Sequence, residues 1–469
     1  MGSEMCIRDS DFIAGRVTTC CVYPTTTLNM TKEKIPAGEY KRRRKQLMQA
    51  MGKDTIAILP AAIHKLRNRD TEYPYRQRSD FLYLSGFDEP EAVIVLLPGR
   101  KQGEFIMFTR ERDRTMEIWN GYRSGPEGAV ADFGADDAFP IDDLDDILPG
   151  LMEGRETIYY SLGRDKEFDT HIVDWVSKQR TQSRSDALAT PEIVDLNFLL
   201  HELRLFKSKA ELRVMRRAAK IAVAAHNRAM QAVKPKMYEY ELEAEYLFEF
   251  RKSNATPAYN SIVGGGENGC ILHYVENNQP LKDGELVLVD AGAEYQGYAS
   301  DITRTFPVGG KFSKEQKIIY DIVLAAQEAA LKKSKPGCHW NDPHDAAVKT
   351  IVKGLIKIGL LKGSLAANLK NENYRDFYMH RTGHWLGLDT HDVGDYKIDE
   401  QWRLLEPGMV YTIEPGIYIA PDLKSVPKRW RGIGVRIEDD VVITDDSCEI
   451  LTEGMPRTTA EVEAHIAAA

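Results

Sequence analysis

What this chain lacks narrows its function before any motif is read. Its six cysteines, Cys6, Cys20, Cys21, Cys270, Cys338 and Cys448, form no CxxC pair and are scattered over 469 residues. That pattern fits reduced thiols in a cytoplasmic protein and not a disulfide framework. No run approaches the roughly 18 apolar residues that a membrane span needs. Basic charge is not in excess either. The 62 Lys and Arg stand against 71 Asp and Glu, a net charge of -9, and a nucleic-acid partner would call for a basic face. There is no Walker A loop, no GxSxG elbow, no zinc-finger spacing and no repeat of fixed period. The first 30 residues lack the basic and apolar regions of a signal peptide and show no helical or strand periodicity. Residues 1–34 are therefore read as a disordered or non-native extension. The sequons at Asn29 and Asn254 then carry little weight, because glycosylation needs a secreted context.

What is present is ample apolar material, 43% of the residues, enough for two or three domains. Short β-branched or aromatic runs at 55–60, 91–97, 104–109 and 157–161 read as buried strands interleaved with helices. They predict an α/β N-terminal domain over 35–205, opened by a helix at 39–51 whose basic run Lys41–Lys45 reads as a solvated face. Ser208 and Glu211 have the spacing of a capping box and predict a long helix that ends before Pro235. Beyond it, helices near 313–334 and 342–360 and strands at 285–290, 298–308, 409–419 and 433–443 predict an α+β domain over 206–460 with a mostly antiparallel sheet.

Four acids interrupt those apolar strands: Asp290 in LVLVDAG, Asp301 in YASDITRTF, Glu414 in VYTIEPG and Glu438 in GVRIEDD. A carboxylate in an apolar strand is costly unless it is paired or binds a metal. A Gly-containing turn at 295–297 predicts a hairpin that brings Asp290 and Asp301 together. Three histidines, His380, His384 and His391, fall within twelve residues, and His273 follows a Gly-rich stretch. His380 is followed by Arg381, so the pair at i, i+4 is no HExxH motif, and Gly383 argues against a helix there. Carboxylates with one imidazole suit Mn or Co, and Zn less exclusively. Bridging carboxylates can hold two such ions. Gly264-Gly265-Gly266-Glu267-Asn268-Gly269 matches GxGxxG, but the CILHYV that follows reads as a strand, which excludes the dinucleotide fingerprint.

With these residues in view, the sequence resembles the proline-specific branch of the pita-bread metallopeptidases, most closely bacterial-type aminopeptidase P. The matching segments are YRQRSDFLYLSGFDEPEAV, HELRLFKS, YNSIVGGGENGCILHY, LVDAGAEYQGYASDITRTFPV, HRTGHWLGLDTHDVG, TIEPGIY and GVRIEDD. The resemblance implies an N-terminal α/β domain of the creatinase-N type and a pita-bread catalytic domain. It implies two divalent metal ions, with Mn the first candidate, held by Asp290, Asp301, His384, Glu414 and Glu438, with Asp301 and Glu438 as bridges. The implied reaction is hydrolysis of an N-terminal Xaa-Pro bond by a metal-bound hydroxide. Glu414 would handle the proton, and His380 and His391 would stabilise the developing charge. His273 joins the catalytic and substrate residues, and Arg436 supports the site. Tyr259, Tyr418 and Trp119 join the substrate-binding set. Asp80 matches an acid that reaches a neighbouring subunit's site in tetrameric members, which implies a homotetramer built as a dimer of dimers. One departure is Arg381-Thr382-Gly383, where bacterial members usually show a Gly-x-Ser-like run.

Among rivals, prolidase uses the same ligands on Xaa-Pro dipeptides. Methionine aminopeptidases usually lack the long N-terminal domain. Creatinase and the non-catalytic pita-bread modules of some histone chaperones lack ligands that this chain keeps.

Overall fold

Three strands of the first sheet, at 55–60, 93–96 and 105–109, are buried on both faces, which is why they read as unbroken apolar runs. The computed structural model describes residues 34–182 and 191–468. All of the extension expected over 1–34 except Lys34 lies outside the described residues. The first sheet has six strands in the order Asp137–Pro140, Phe105–Thr109, Val93–Leu96, Thr55–Pro60, Thr157–Tyr159, Glu192–Val194. Thr55–Pro60 runs antiparallel to Val93–Leu96 and parallel to Thr157–Tyr159. Along it, Ile56 and Ile58 pack with Trp175 on one face, while Ala57 and Leu59 pack with Leu47 and Met107 on the other.

The helix Ala37–Met51 presents only part of its basic run to solvent: Lys41, Arg42 and Lys45 are exposed, and Arg43 and Arg44 turn inward. Arg43 and Arg44 are 1% and 5% exposed. The carbonyls at the C-terminal end of the helix Ser79–Ser85 need donors. Arg43 donates to the Tyr83 carbonyl at 2.9 Å and Arg44 to the Leu84 carbonyl at 2.7 Å. Arg43 also pairs with Glu211 at 3.4 Å.

The helix Lys209–Ala232 opens with the expected capping box, Ser208 and Glu211 bonding reciprocally. Its apolar face lies in a core that continues from the first sheet to Val287 and Val289, so one core runs across residue 205. The C-terminal strands pair antiparallel: Leu286–Asp290 lies between Ile262–Gly265 and Thr303–Pro307, Val410–Ile413 pairs with Asp439–Ile443, and Gly416–Ile419 pairs with Ile433–Arg436. The helices Lys314–Leu331 and Asp342–Lys357 cover a second core with several of these strands. No helix among the described residues is long and apolar enough to cross a membrane.

Three expected strands are broken, and the breaks matter for chemistry. The segment 298–308 is interrupted at Ser300–Ile302, 409–419 at Glu414–Pro415 and 433–443 at Ile437–Glu438. Asp301, Glu414 and Glu438 thus sit in gaps between strands, and Asp290 at a strand end. Leaving the ladder frees these carboxylates from the alternation of faces and lets them converge. CILHYV is not a strand either. A 3-10 turn covers Gly266–Cys270 and irregular chain follows. A Cβ on Gly264 would lie 2.9 Å from the Asn268 carbonyl, so glycine permits the chain to fold back over the preceding strand.

Candidate active site

The hairpin over 293–299 turns at Gln296 and Gly297, with φ of 54° and 81°, the conformation of a two-residue type I′ loop. It returns the chain so that Asp290 and Asp301 share one partner. The Tyr259 hydroxyl lies 2.6 Å from Asp290 Oδ1 and 2.5 Å from Asp301 Oδ1. Glu438 is placed by its own amide, which donates to the Thr303 carbonyl, and by the Thr303 hydroxyl, which donates to Glu438 Oε2 at 2.6 Å.

His384 and Glu414 face each other because two irregular segments run side by side. The Glu414 amide donates to the Thr382 carbonyl, the Thr412 amide to the His384 carbonyl, and the His384 amide to the Thr412 hydroxyl. Gly383 is required by this approach, since a Cβ there would lie 1.9 Å from the Thr412 carbonyl oxygen. His384 Nδ1 donates to the Trp385 carbonyl at 3.0 Å. Its Nε2 is left 3.4 Å from Asp301 and 3.7 Å from Glu414.

Asp290, Asp301, His384, Glu414 and Glu438 line one open cavity of about 430 Å³, together with His273, His380, Arg381, His391, Trp340, Trp402 and Arg436. Ligand atoms of Asp301, His384 and Glu438 lie within 4.8 Å of one another. Burial and the neighbouring acids push Glu438 far above the usual carboxylate range. Burial also raises Asp290, against the pull of Arg436. Burial raises Glu414 to about 7, although His384 and Arg436 oppose it. Burial works against protonation of His384, but Asp301 and Glu414 hold it up at about 9. Four carboxylates against one guanidinium, with Asp301 and Glu438 buried, Asp290 and Glu414 half-buried and an imidazole nitrogen aimed among them, form a donor set that fits hard or borderline divalent cations.

Arg436 lines the cavity but is 4% exposed, its donors spent on neighbouring groups. It pairs with Asp290 Oδ2 at 2.5 Å, donates to the Tyr418 hydroxyl at 3.0 Å and donates to the Thr303 hydroxyl at 2.9 Å. Tyr418, 2% exposed, lies 2.9 Å from His380 Nε2. His380 Nδ1 lies 2.7 Å from the Arg381 carbonyl and therefore carries the proton. Burial and Arg436 lower His380 to about 3, so it is neutral and its Nε2 accepts from Tyr418. As placed, both ring nitrogens of His380 are engaged within the protein, on the cavity wall beside Arg381. His391 makes no hydrogen bond among the described residues. It stacks edge-on against His384 with centroids 4.3 Å apart.

Two expected substrate residues are not brought here. Trp119, on the helix Arg114–Asn120, is 81% exposed and lines no part of this cavity. Asp80 is buried and bonded to Arg204 and Arg164, both at 2.6 Å, beside a second cavity. Sequence reading missed Thr303, which ties Glu438 to Arg436, and Asp440, whose Oδ2 accepts the Asp301 amide at 3.0 Å. The signal for both was their place in the same short motifs, DITRTF and IEDD.

The profile of Metallopeptidase family M24 matches residues 213–445, and that of the Aminopeptidase P N-terminal domain matches residues 40–159. The Xaa-Pro aminopeptidase of Escherichia coli is 46% identical over 93% of this chain and 99% of its own length.

The chain belongs to the aminopeptidase P branch of metallopeptidase family M24.

Aminopeptidase PepP of Pseudomonas aeruginosa superposes with a TM-score of 0.91 at 56% identity, over 93% of this chain and 99% of that one. A zinc-substituted Escherichia coli aminopeptidase P in complex with product gives 0.90 at 46% identity, over the same shares. The fold is thus the M24 pita-bread domain behind an aminopeptidase P N-terminal domain, and the chain is a hydrolase of the metallopeptidase class.

Proposed function

We infer that this enzyme removes the N-terminal residue from peptides with proline in second position, by metal-dependent hydrolysis. The observation that carries this is the convergence of Asp290, Asp301, His384, Glu414 and Glu438 on one open cavity, in a chain of the aminopeptidase P branch. In our reading these five residues hold two divalent ions, Mn first. Ions held there would supply water activation and Lewis-acid polarisation of the scissile carbonyl. Glu414 takes the proton of the attacking water and returns it to the proline nitrogen. His391 donates to the carbonyl oxygen as charge develops, with His273 beside it on the cavity wall. Tyr259 fixes the spacing of Asp290 and Asp301. Arg436 and Tyr418 act at one remove by orienting Asp290 and His380. Proline leaves a tertiary amide with no N–H, so the site needs no acceptor for that hydrogen and can offer the ring an imidazole wall.

The same reading divides the chain into an N-terminal domain over 35–205 and a catalytic domain over 206–460, and includes cytoplasmic residence and a dimer of dimers. Peptide hydrolysis tests the activity. With Mn, kcat/KM for Ala-Pro-Ala should exceed that for Ala-Pro and for Ala-Ala-Ala, and activity should vanish on chelation and return with Mn or Co. Faster cleavage of Ala-Pro than of Ala-Pro-Ala would establish a prolidase instead.

A further inference from the structure

Arg381 lies between His380 and His384 of the site, and nothing in the reaction described above uses its charge. It is exposed, yet it lines the same cavity as the five candidate ligands. Its guanidinium lies 4.9 Å from the centroid of the Trp402 ring, and its Nη2 donates to Asn341 Oδ1. Lys397 Nζ lies 4.8 Å from the same ring. Trp402 lines the cavity, so the indole carries two cations at its rim. No carboxylate among the described residues pairs with Arg381 within 4 Å. Asp345 feels its charge without pairing with it, and the partner of Lys397, exposed Glu400, is 4.0 Å away. An arginine stacked on an aromatic ring is held in place with most of its planar donors unspent, an arrangement that takes a carboxylate side-on.

Building on the aminopeptidase reading, we propose that Arg381, supported by Trp402 and Lys397, forms an anion-binding subsite for the residue that follows proline. In a tripeptide the ligand is the terminal carboxylate; in a longer peptide it is an acidic side chain at the third position. The enzyme thereby prefers short peptides with a free carboxyl end, or peptides with Asp or Glu after proline. The subsite adds uniform binding, so its effect falls on KM more than on kcat.

The test compares Ala-Pro-Ala with its C-terminal amide, and Ala-Pro-Glu-Ala-amide with Ala-Pro-Lys-Ala-amide, in the wild type, Arg381→Ala and Arg381→Glu, all loaded with Mn. The wild type should favour the free acid and the Glu peptide by roughly tenfold in kcat/KM, the lower range for one charge-assisted contact. Arg381→Ala should bring both ratios close to one through KM, and Arg381→Glu should invert them. Ratios near one in the wild type would overturn the proposal, as would ratios that survive in Arg381→Ala. If no Xaa-Pro peptide is cleaved at all, the aminopeptidase reading fails first, and the subsite falls with it.

Discussion

Tyr259 has one hydroxyl proton and touches two carboxylates. It can donate to only one at a time, so the second short contact stays comfortable only while the pair holds fewer than two full negative charges or shares a cation. Tyr259 therefore sets both the spacing and the charge balance of Asp290 and Asp301. Removing its hydroxyl should weaken metal binding by about 10–100-fold, as loss of a partner to a ligand does. Titrating Mn into Tyr259→Phe and measuring heat or activity checks this; Glu438→Ala, which removes a proposed bridge, should be inactive at every Mn concentration. At this scale much of the site was legible. An acid among apolar residues is conspicuous because burying it is costly. The state of His380 was not legible, because it depends on the Arg381 carbonyl and the Tyr418 hydroxyl, one local and one 38 residues away.

Strands and turns decide where those residues point. Periodicity predicted most of the strands correctly, and the capping box at Ser208 marked its helix start to the residue. It did not reveal the gaps at Asp301, Glu414 and Glu438, because a break of two or three residues leaves the apolar pattern on either side intact. Nor did it reveal that Arg43 and Arg44 turn inward, since helical spacing says which residues share a face and not what that face meets. The close approaches of glycines were equally hidden. A Cβ on Gly434 would lie 2.1 Å from the Gly269 carbonyl oxygen, so the strand that leads to Arg436 is pressed against the turn that follows Ile262–Gly265. Gly434→Ala should destabilise the fold by roughly 1–3 kcal/mol, the usual cost of overpacking. It should also reduce activity by moving Arg436, while Gly284→Ala, which meets no neighbour but sits at a φ of 78°, should cost stability alone. Thermal unfolding and peptide hydrolysis together separate the two outcomes.

Across the whole molecule, the two halves are joined by charge as well as by the shared core. Arg204 is 2% exposed and pairs with Asp80 at 2.6 Å, Asp389 at 2.8 Å and Asp392 at 2.5 Å, while Lys207 meets Asp392 at 2.9 Å. Asp389 and Asp392 flank His391, so a cluster rooted in the N-terminal sequence holds the loop that carries a proposed catalytic group. Burial alone would raise the Asp80 carboxyl, but His201 and Arg204 hold it well below the usual carboxylate range. A carboxyl depressed in the folded state adds stability that is present above its unfolded value of about 4 and is lost as pH falls through the folded one. Urea midpoints should therefore drop between about pH 5 and pH 3 more steeply for the wild type than for Asp80→Asn, which has no such carboxyl to protonate. Light scattering should give a mass near four chains if the dimer of dimers is right, and a fully active monomer would refute it. None of this cluster was legible in HELRLFKS, because its partners lie 124 and 185 to 188 residues away. The cluster also constrains inheritance. A recombination event that exchanged the segment before residue 205 for one from a distant relative would separate Arg204 from Asp389 and Asp392 and strand buried charge beside the histidine loop. The two halves are therefore expected to be passed on together, as a single cassette, wherever this arginine and its three aspartates are kept.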